Sequence, residues 1–131
     1  MMPVVILCGG KGTRLGAETA ETPKSLVDVA GRPFLEHQFN VLGAAGYRTV
    51  VLLVGHFGDR FSRLNGGAGL FDIVVADDGA VPLGTAGAVR HALPMVGDCF
   101  FVLYGDSYLE CDYAAIEAEF RASGKSGLLT E

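Results

Sequence analysis

Basic runs are missing from this sequence. Its 131 residues carry ten Lys and Arg against 15 Asp and Glu, a formal net charge of -5. No cluster of cations is long enough to track a nucleic-acid backbone, so nucleic-acid binding is not expected. An acidic protein still binds a nucleotide where its cations are local and a metal joins them. Cysteine is scarce as well. Cys8, Cys99 and Cys111 are odd in number and lack paired spacing, which argues for free, mostly buried thiols in a reducing, cytoplasmic setting. No apolar stretch approaches a membrane span, and Met1-Met2-Pro3 leads straight into a strand pattern without a signal-peptide layout. Charged residues make up only 19% while half of the chain is hydrophobic. That balance argues against disorder and fits one α/β domain with a buried parallel sheet.

What is present is concentrated near the start. Val4 to Cys8 is a short apolar run, β-branched at first, of the kind that makes a strand buried on both faces. It ends in Gly9-Gly10-Lys11-Gly12, where missing Cβ atoms let the backbone turn sharply and approach a ligand. Successive N–H groups in such a turn converge into an anion site. Arg14 adds a planar, forked cation and Lys24 a compact one. Together these describe a polyphosphate cradle; the plainer alternative is a tight connection with solvated cations. Two named loops fail on spacing. Lys11 is followed by Gly12, whereas a Walker A loop needs Ser or Thr there, and Gly10, Gly12 and Gly16 miss the dinucleotide fingerprint by one residue.

Further along, hydrophobic runs predict strands over Thr49–Val54, Phe71–Ala76 and Cys99–Tyr104. Gly31-Arg32-Pro33 reads as a turn into a helix carrying Leu35, Phe39 and Leu42, ended by Gly43 or Gly46. Phe57, Phe61 and Leu64 suggest a short helix, and further helices are expected from about Ala86 to Leu93 and from Tyr113 to Ala122. Ile116 and Phe120 should face inward on the last one, and Gly124 should stop it. Ser126 to Glu131 reads as the beginning of a fifth strand. Strands alternating with helices imply β-α-β units and an open, three-layer, mostly parallel sheet of Rossmann-like type. Ligands then sit beyond the carboxyl ends of the strands, where the strand order reverses.

Asp106 follows Val102-Leu103-Tyr104-Gly105, a carboxylate just past a buried strand. Mg²⁺ is held in this way, by one or two carboxylates plus substrate phosphates; alternatively Asp106 only caps a turn. Asp77, Asp78 and Asp112 are weaker candidates, Thr85 reads as a helix N-cap, and His37, His56 and His91 share no ligand spacing.

The stretch Leu7-Cys8-Gly9-Gly10-Lys11-Gly12-Thr13-Arg14-Leu15, with Thr22-Pro23-Lys24-Ser25-Leu26-Val27 and Gly31-Arg32-Pro33-Phe34-Leu35-Glu36, resembles the signature of the sugar-1-phosphate nucleotidyltransferases. The resemblance implies that Leu7, Cys8, Gly9, Gly10, Lys11, Gly12, Thr13, Gly84 and Thr85 bind the nucleotide, that Arg14 and Lys24 are catalytic, and that Asp106 binds Mg²⁺. The base is expected to lie against Leu83-Gly84-Thr85-Ala86-Gly87; Asp78-Gly79-Ala80 stands where many relatives carry an amide that reads it. The partners implied are a nucleoside triphosphate and a sugar-1-phosphate, with a homo-oligomer left open and neither nucleic acid nor membrane expected. Family members are generally longer, so residues 1–131 are expected to be the N-terminal nucleotide-binding part of the catalytic domain, in need of a partner for its sheet edge. Alternatives of other classes are a non-catalytic nucleotide or sugar-nucleotide binding module and, within the transferases, a cofactor or phosphocholine nucleotidyltransferase.

Overall fold

A computed structural model describes residues 1–8, 26–55, 61, 69, 71–77 and 84–130. In chain order the elements are β1 (Val4–Leu7), β2 (Asp28–Val29), β3 (Arg32–Pro33), α1 (Phe34–Ala44), β4 (Thr49–Val54), β5 (Asp72–Asp77), α2 (Gly84–Val96), β6 (Phe101–Tyr104) and α3 (Tyr113–Ser123). Four of the strands form one parallel sheet in the order β5-β4-β1-β6. β1 pairs on both sides, so its Val4, Val5 and Ile6 are fully buried, the reason this strand is an unbroken apolar run.

Alternation along the strands separates two cores. Val4, Ile6, Val50, Leu52 and Ile73 pack with Leu35, Phe39 and Leu42 of α1 and Tyr113 of α3. On the other face Val5, Val51, Leu53 and Ala76 meet Ala92 and Val96 of α2. The layers are therefore helix, sheet, helix, as the alternation of elements predicts.

β4 and α1 follow the sequence reading closely. α1 ends where Gly46 takes φ +95°, its N–H donating to the Gly43 carbonyl at 3.1 Å while Tyr47 N–H donates to Leu42 at 3.0 Å. That pair of bonds caps the last carbonyls, and buried Leu42 and Tyr47 join the same core beneath it. α3 starts with Asp112, whose carboxylate accepts the Ala115 N–H at 3.0 Å, and stops at Gly124 with φ +66°.

Four expectations need correcting. Arg32 and Pro33 form a strand paired antiparallel with Asp28–Val29, across a tight turn in which Ala30 and Gly31 both have positive φ (53° and 82°). α2 starts at Gly84, so Thr85 lies inside the helix and is not its N-cap. The same helix runs through Pro94 to Val96, because Ala92 and Val96 are buried against the sheet. Residues 126–130 form no strand, and Leu129 is 86% exposed. The expected helix around Phe57 and Leu64 lies outside the described residues, although Phe61 itself is buried.

Candidate functional site

The strand order reverses at β1: its chain neighbour β4 lies on one side and β6, reached last, on the other. The carboxyl ends of β1 and β6 therefore flank the crevice where an open sheet of this kind binds ligands. Leu7 is in register with Tyr104, and Gly105 N–H donates to the Leu7 carbonyl at 2.9 Å. Cys8 N–H is tied to the Leu53 carbonyl on the opposite side at 2.7 Å. Two segments far apart in sequence thus leave the sheet side by side. One continues into the glycine-rich stretch and the other carries Asp106.

Cys8 is 5% exposed and joins the core on the α1 side, which makes it a packing residue. Cys99 and Cys111 are free and half-buried, less covered than expected. Asp106 is exposed, in a turn closed by the Ser107 N–H donating to the Tyr104 carbonyl at 3.2 Å. Gly84 and Thr85 open α2, which packs on β1 and β4. Gly9, Gly10, Lys11, Gly12, Thr13, Arg14 and Lys24 lie outside the described residues, as do Asp78 and His56.

The weaker acidic candidates resolve differently. Asp112 is an N-cap, and Asp77 is the last residue of β5. Among the described residues no group of three or more His, Cys, Asp or Glu converges on a metal-sized point. His37 donates a ring N–H to the Val29 carbonyl at 2.6 Å, pinning the β2–β3 hairpin to α1. His91 is exposed on α2. No described helix is long and apolar enough to cross a membrane.

Sequence reasoning missed Gln38. It sits on the apolar stripe of α1 between Leu35 and Leu42, is only 4% exposed, and is the one buried polar side chain among the described residues. Its Nε2 donates to the Tyr104 carbonyl at 2.9 Å and to the Ser107 carbonyl at 2.8 Å, while its Oε1 is buried without a hydrogen-bond partner. An amide on an otherwise apolar helical face was the available signal.

A second junction supports the seat of α3. Glu117 Oε1 accepts the Met2 N–H at 3.0 Å and the Tyr47 hydroxyl at 2.9 Å, and Oε2 accepts from Arg121 Nε at 3.1 Å. Burial raises the pKa of Glu117, but these three donations outweigh it and hold the carboxyl below its usual range. Burial pushes the Tyr113 phenol up to about 12, helped by neighbouring Cys111, so it stays a donor to the Leu109 carbonyl.

Residues 4–127 match the family described as "MobA-like NTP transferase domain". The chain is 31% identical over 124 residues to D-glycero-alpha-D-manno-heptose 1-phosphate guanylyltransferase of Campylobacter jejuni, covering 88% of this chain and 52% of that protein. It is 36% identical over 120 residues to N-acetylmuramate alpha-1-phosphate uridylyltransferase of Caulobacter vibrioides, covering 87% of this chain and 50% of the relative. The crystal structure of HddC from Yersinia pseudotuberculosis complexed with GMP-PN superposes with a TM-score of 0.79 at 31% identity, over 91% of this chain and 54% of that one. The chain spans about half the length of the curated relatives it matches. The Rossmann-like fold and the resemblance to sugar-1-phosphate nucleotidyltransferases are both borne out.

Proposed function

The chain belongs to the MobA-like NTP transferase family, and we propose that it forms the nucleotide-binding part of an enzyme that transfers a nucleoside monophosphate from an NTP to a sugar-1-phosphate, releasing pyrophosphate. The observation that carries this reading is the pairing of β1 with β6, which sets Cys8 and the turn bearing Asp106 at the ends of adjacent parallel strands. Relatives named for guanylyl and uridylyl transfer to sugar-1-phosphates supply the reaction class and the substrate class. Cys8, Cys99 and Cys111, odd in number and without paired spacing, support a reducing, cytoplasmic setting.

The attacking group in such a reaction is a phosphate monoester, whose second pKa is about 6. It is ionised at neutral pH and needs no general base, consistent with His37 being committed to a backbone carbonyl. On this reading the backbone amides from Gly9 to Thr13 hold the triphosphate above Leu7 and Cys8. Arg14 stabilises charge on the departing pyrophosphate, and Lys24 neutralises the two phosphates brought into contact. Backbone groups at Gly84 and Thr85 hold the base. Asp106, a hard oxygen donor exposed to the crevice end of the sheet, suits Mg²⁺, with phosphate oxygens and water as the other ligands. Mg²⁺ held there would supply Lewis-acid chemistry, neutralising charge on the reacting phosphates.

A pyrophosphate-release assay over a panel of NTPs and sugar-1-phosphates tests the reading, with release expected for at least one pair. In the active pair Arg14→Ala should lower turnover about 10²-fold or more, the worth of a fixed charge at a developing anion. Because the chain spans half of its relatives, the second reading is a nucleotide-binding module; NTP binding without release across the panel would establish it.

A further inference from the structure

We infer that Gln38 is a positioning residue for the metal-binding turn: its buried amide clamps both ends of the Tyr104–Ser107 turn and so fixes where the Asp106 carboxylate stands. The inference rests on the assignment of Asp106 as the metal ligand. Gly105 and Asp106 are the two central residues of that turn, and the carbonyls of its first and last residues both accept from the one Nε2 atom, at 2.9 and 2.8 Å. Ser107 N–H closes the turn on the same Tyr104 carbonyl at 3.2 Å. Both donors of the amide are thereby used on one turn, 66 and 69 residues away along the chain.

The cost of this arrangement is visible. Gln38 is 96% buried on a helix face that otherwise carries Leu35, Phe39 and Leu42, and its Oε1 has no hydrogen-bond partner. An apolar side chain of similar length would fill the place without leaving a buried acceptor unpaired. Core packing therefore does not explain a glutamine here, whereas the Ser107 carbonyl and the second lone pair of the Tyr104 carbonyl, both taken by its Nε2, do. Rigid backing matters at a metal site, because the hydrogen bonds behind a ligating residue set where its oxygen stands.

The test measures NTP affinity by titration calorimetry on the 131-residue chain, in excess EDTA and in excess Mg²⁺, with the triphosphate that a preliminary panel of the four ribonucleotides and dTTP ranks tightest. The readout is the ratio of the two affinities, together with amide exchange at residues 105–107. Gln38→Met keeps the length and apolar packing of the helix face and removes both donors; Gln38→Glu removes them and adds charge. Gln38→Met should cut the Mg²⁺ enhancement by about tenfold, near the lower end of what two lost neutral hydrogen bonds are worth, leave affinity in EDTA unchanged, and speed exchange at Ser107 while the Gly105 amide, bound to Leu7, stays protected. Gln38→Glu should do the same, and where it does not fold Gln38→Met alone decides. A folded Gln38→Met chain with the wild-type ratio overturns the inference, as does an equal loss of affinity in EDTA and Mg²⁺, which would mark a merely structural role. Asp106→Asn separates the two layers. Loss of the enhancement in Asp106→Asn with retention in Gln38→Met refutes the Gln38 role alone. A wild-type ratio in Asp106→Asn, or no enhancement in the wild-type chain, refutes the metal assignment and the inference built on it.

Discussion

Tyr47→Phe removes a single hydroxyl from the junction of the N-terminus, the end of α1 and α3, and its effect should depend on pH in a defined direction. The ring keeps its place: Tyr47 is fully buried, edge-on to Phe101 at 5.5 Å and to Tyr113 at 6.3 Å. What is lost is the hydroxyl hydrogen, donated to Glu117 Oε1 at 2.9 Å with the Tyr113 carbonyl as a more distant acceptor at 3.2 Å. A hydrogen bond to a charged group is worth about 1.5–3 kcal/mol. The Glu117 side chain keeps 14% of its surface in water, which points to the lower end, about 1.5 kcal/mol. With a urea m-value of about 2 kcal/mol/M, the unfolding midpoint at neutral pH should fall by about 0.7 M.

The sign with pH follows from the depressed pKa of Glu117. A carboxyl whose folded value lies below its unfolded value, about 4.3, contributes stability above that unfolded value and loses it as pH falls through the folded value. Burial first, and then the Glu117 carboxylate, push the Tyr47 phenol above its ordinary pKa, so it remains a donor over this range. The deficit of the Phe variant should therefore be largest near neutrality and narrow below about pH 4 as Glu117 protonates in both proteins. Urea unfolding followed by far-ultraviolet circular dichroism at a series of pH values measures it. A deficit that stays constant with pH, or none at neutral pH, would refute the junction as described.

Gly46→Ala places a Cβ at φ +95°, 3.1 Å from Met1 Cε; the flexible Met1 tip gives way, so the backbone penalty of about 1–2 kcal/mol dominates, read by thermal unfolding. Asp112→Ala removes the cap on α3 and should cost about 1 kcal/mol with no change in Mg²⁺-dependent nucleotide binding; a loss of that binding would return Asp112 to the metal site. Leu52→Ala, at a fully buried position in β4, should cost about 2–5 kcal/mol, whereas Val74→Ala on edge strand β5, with Val74 43% exposed, should stay within about 0.5 kcal/mol in the same denaturation assay.

The elements themselves were legible in the chain because their signals are local. Thr49–Val54 is an uninterrupted apolar run and became β4 without adjustment; Leu35, Phe39 and Leu42 at helical spacing became the inner face of α1; Asp112 and Gly124 bracket α3 as cap and stop. Where the reading failed, tertiary packing overrode a local rule. The helix was expected to end at about Leu93, yet burial of Val96 against the sheet carries α2 past Pro94. Strands of two residues are too short to show alternation, so the β2–β3 hairpin left no pattern. Ala30 moreover takes a positive φ that its residue type disfavours.

Side-chain patterns along a polypeptide report which residues avoid water, and that was enough to determine an α/β chain with a glycine-rich stretch after its first strand. They do not report which strands become neighbours, since every strand offers the same backbone N–H and C=O groups to any partner. Only the folded molecule decided that β6 lies against β1, that Asp106 stands beside the end of Cys8's strand, and that an amide from α1 holds the turn between them.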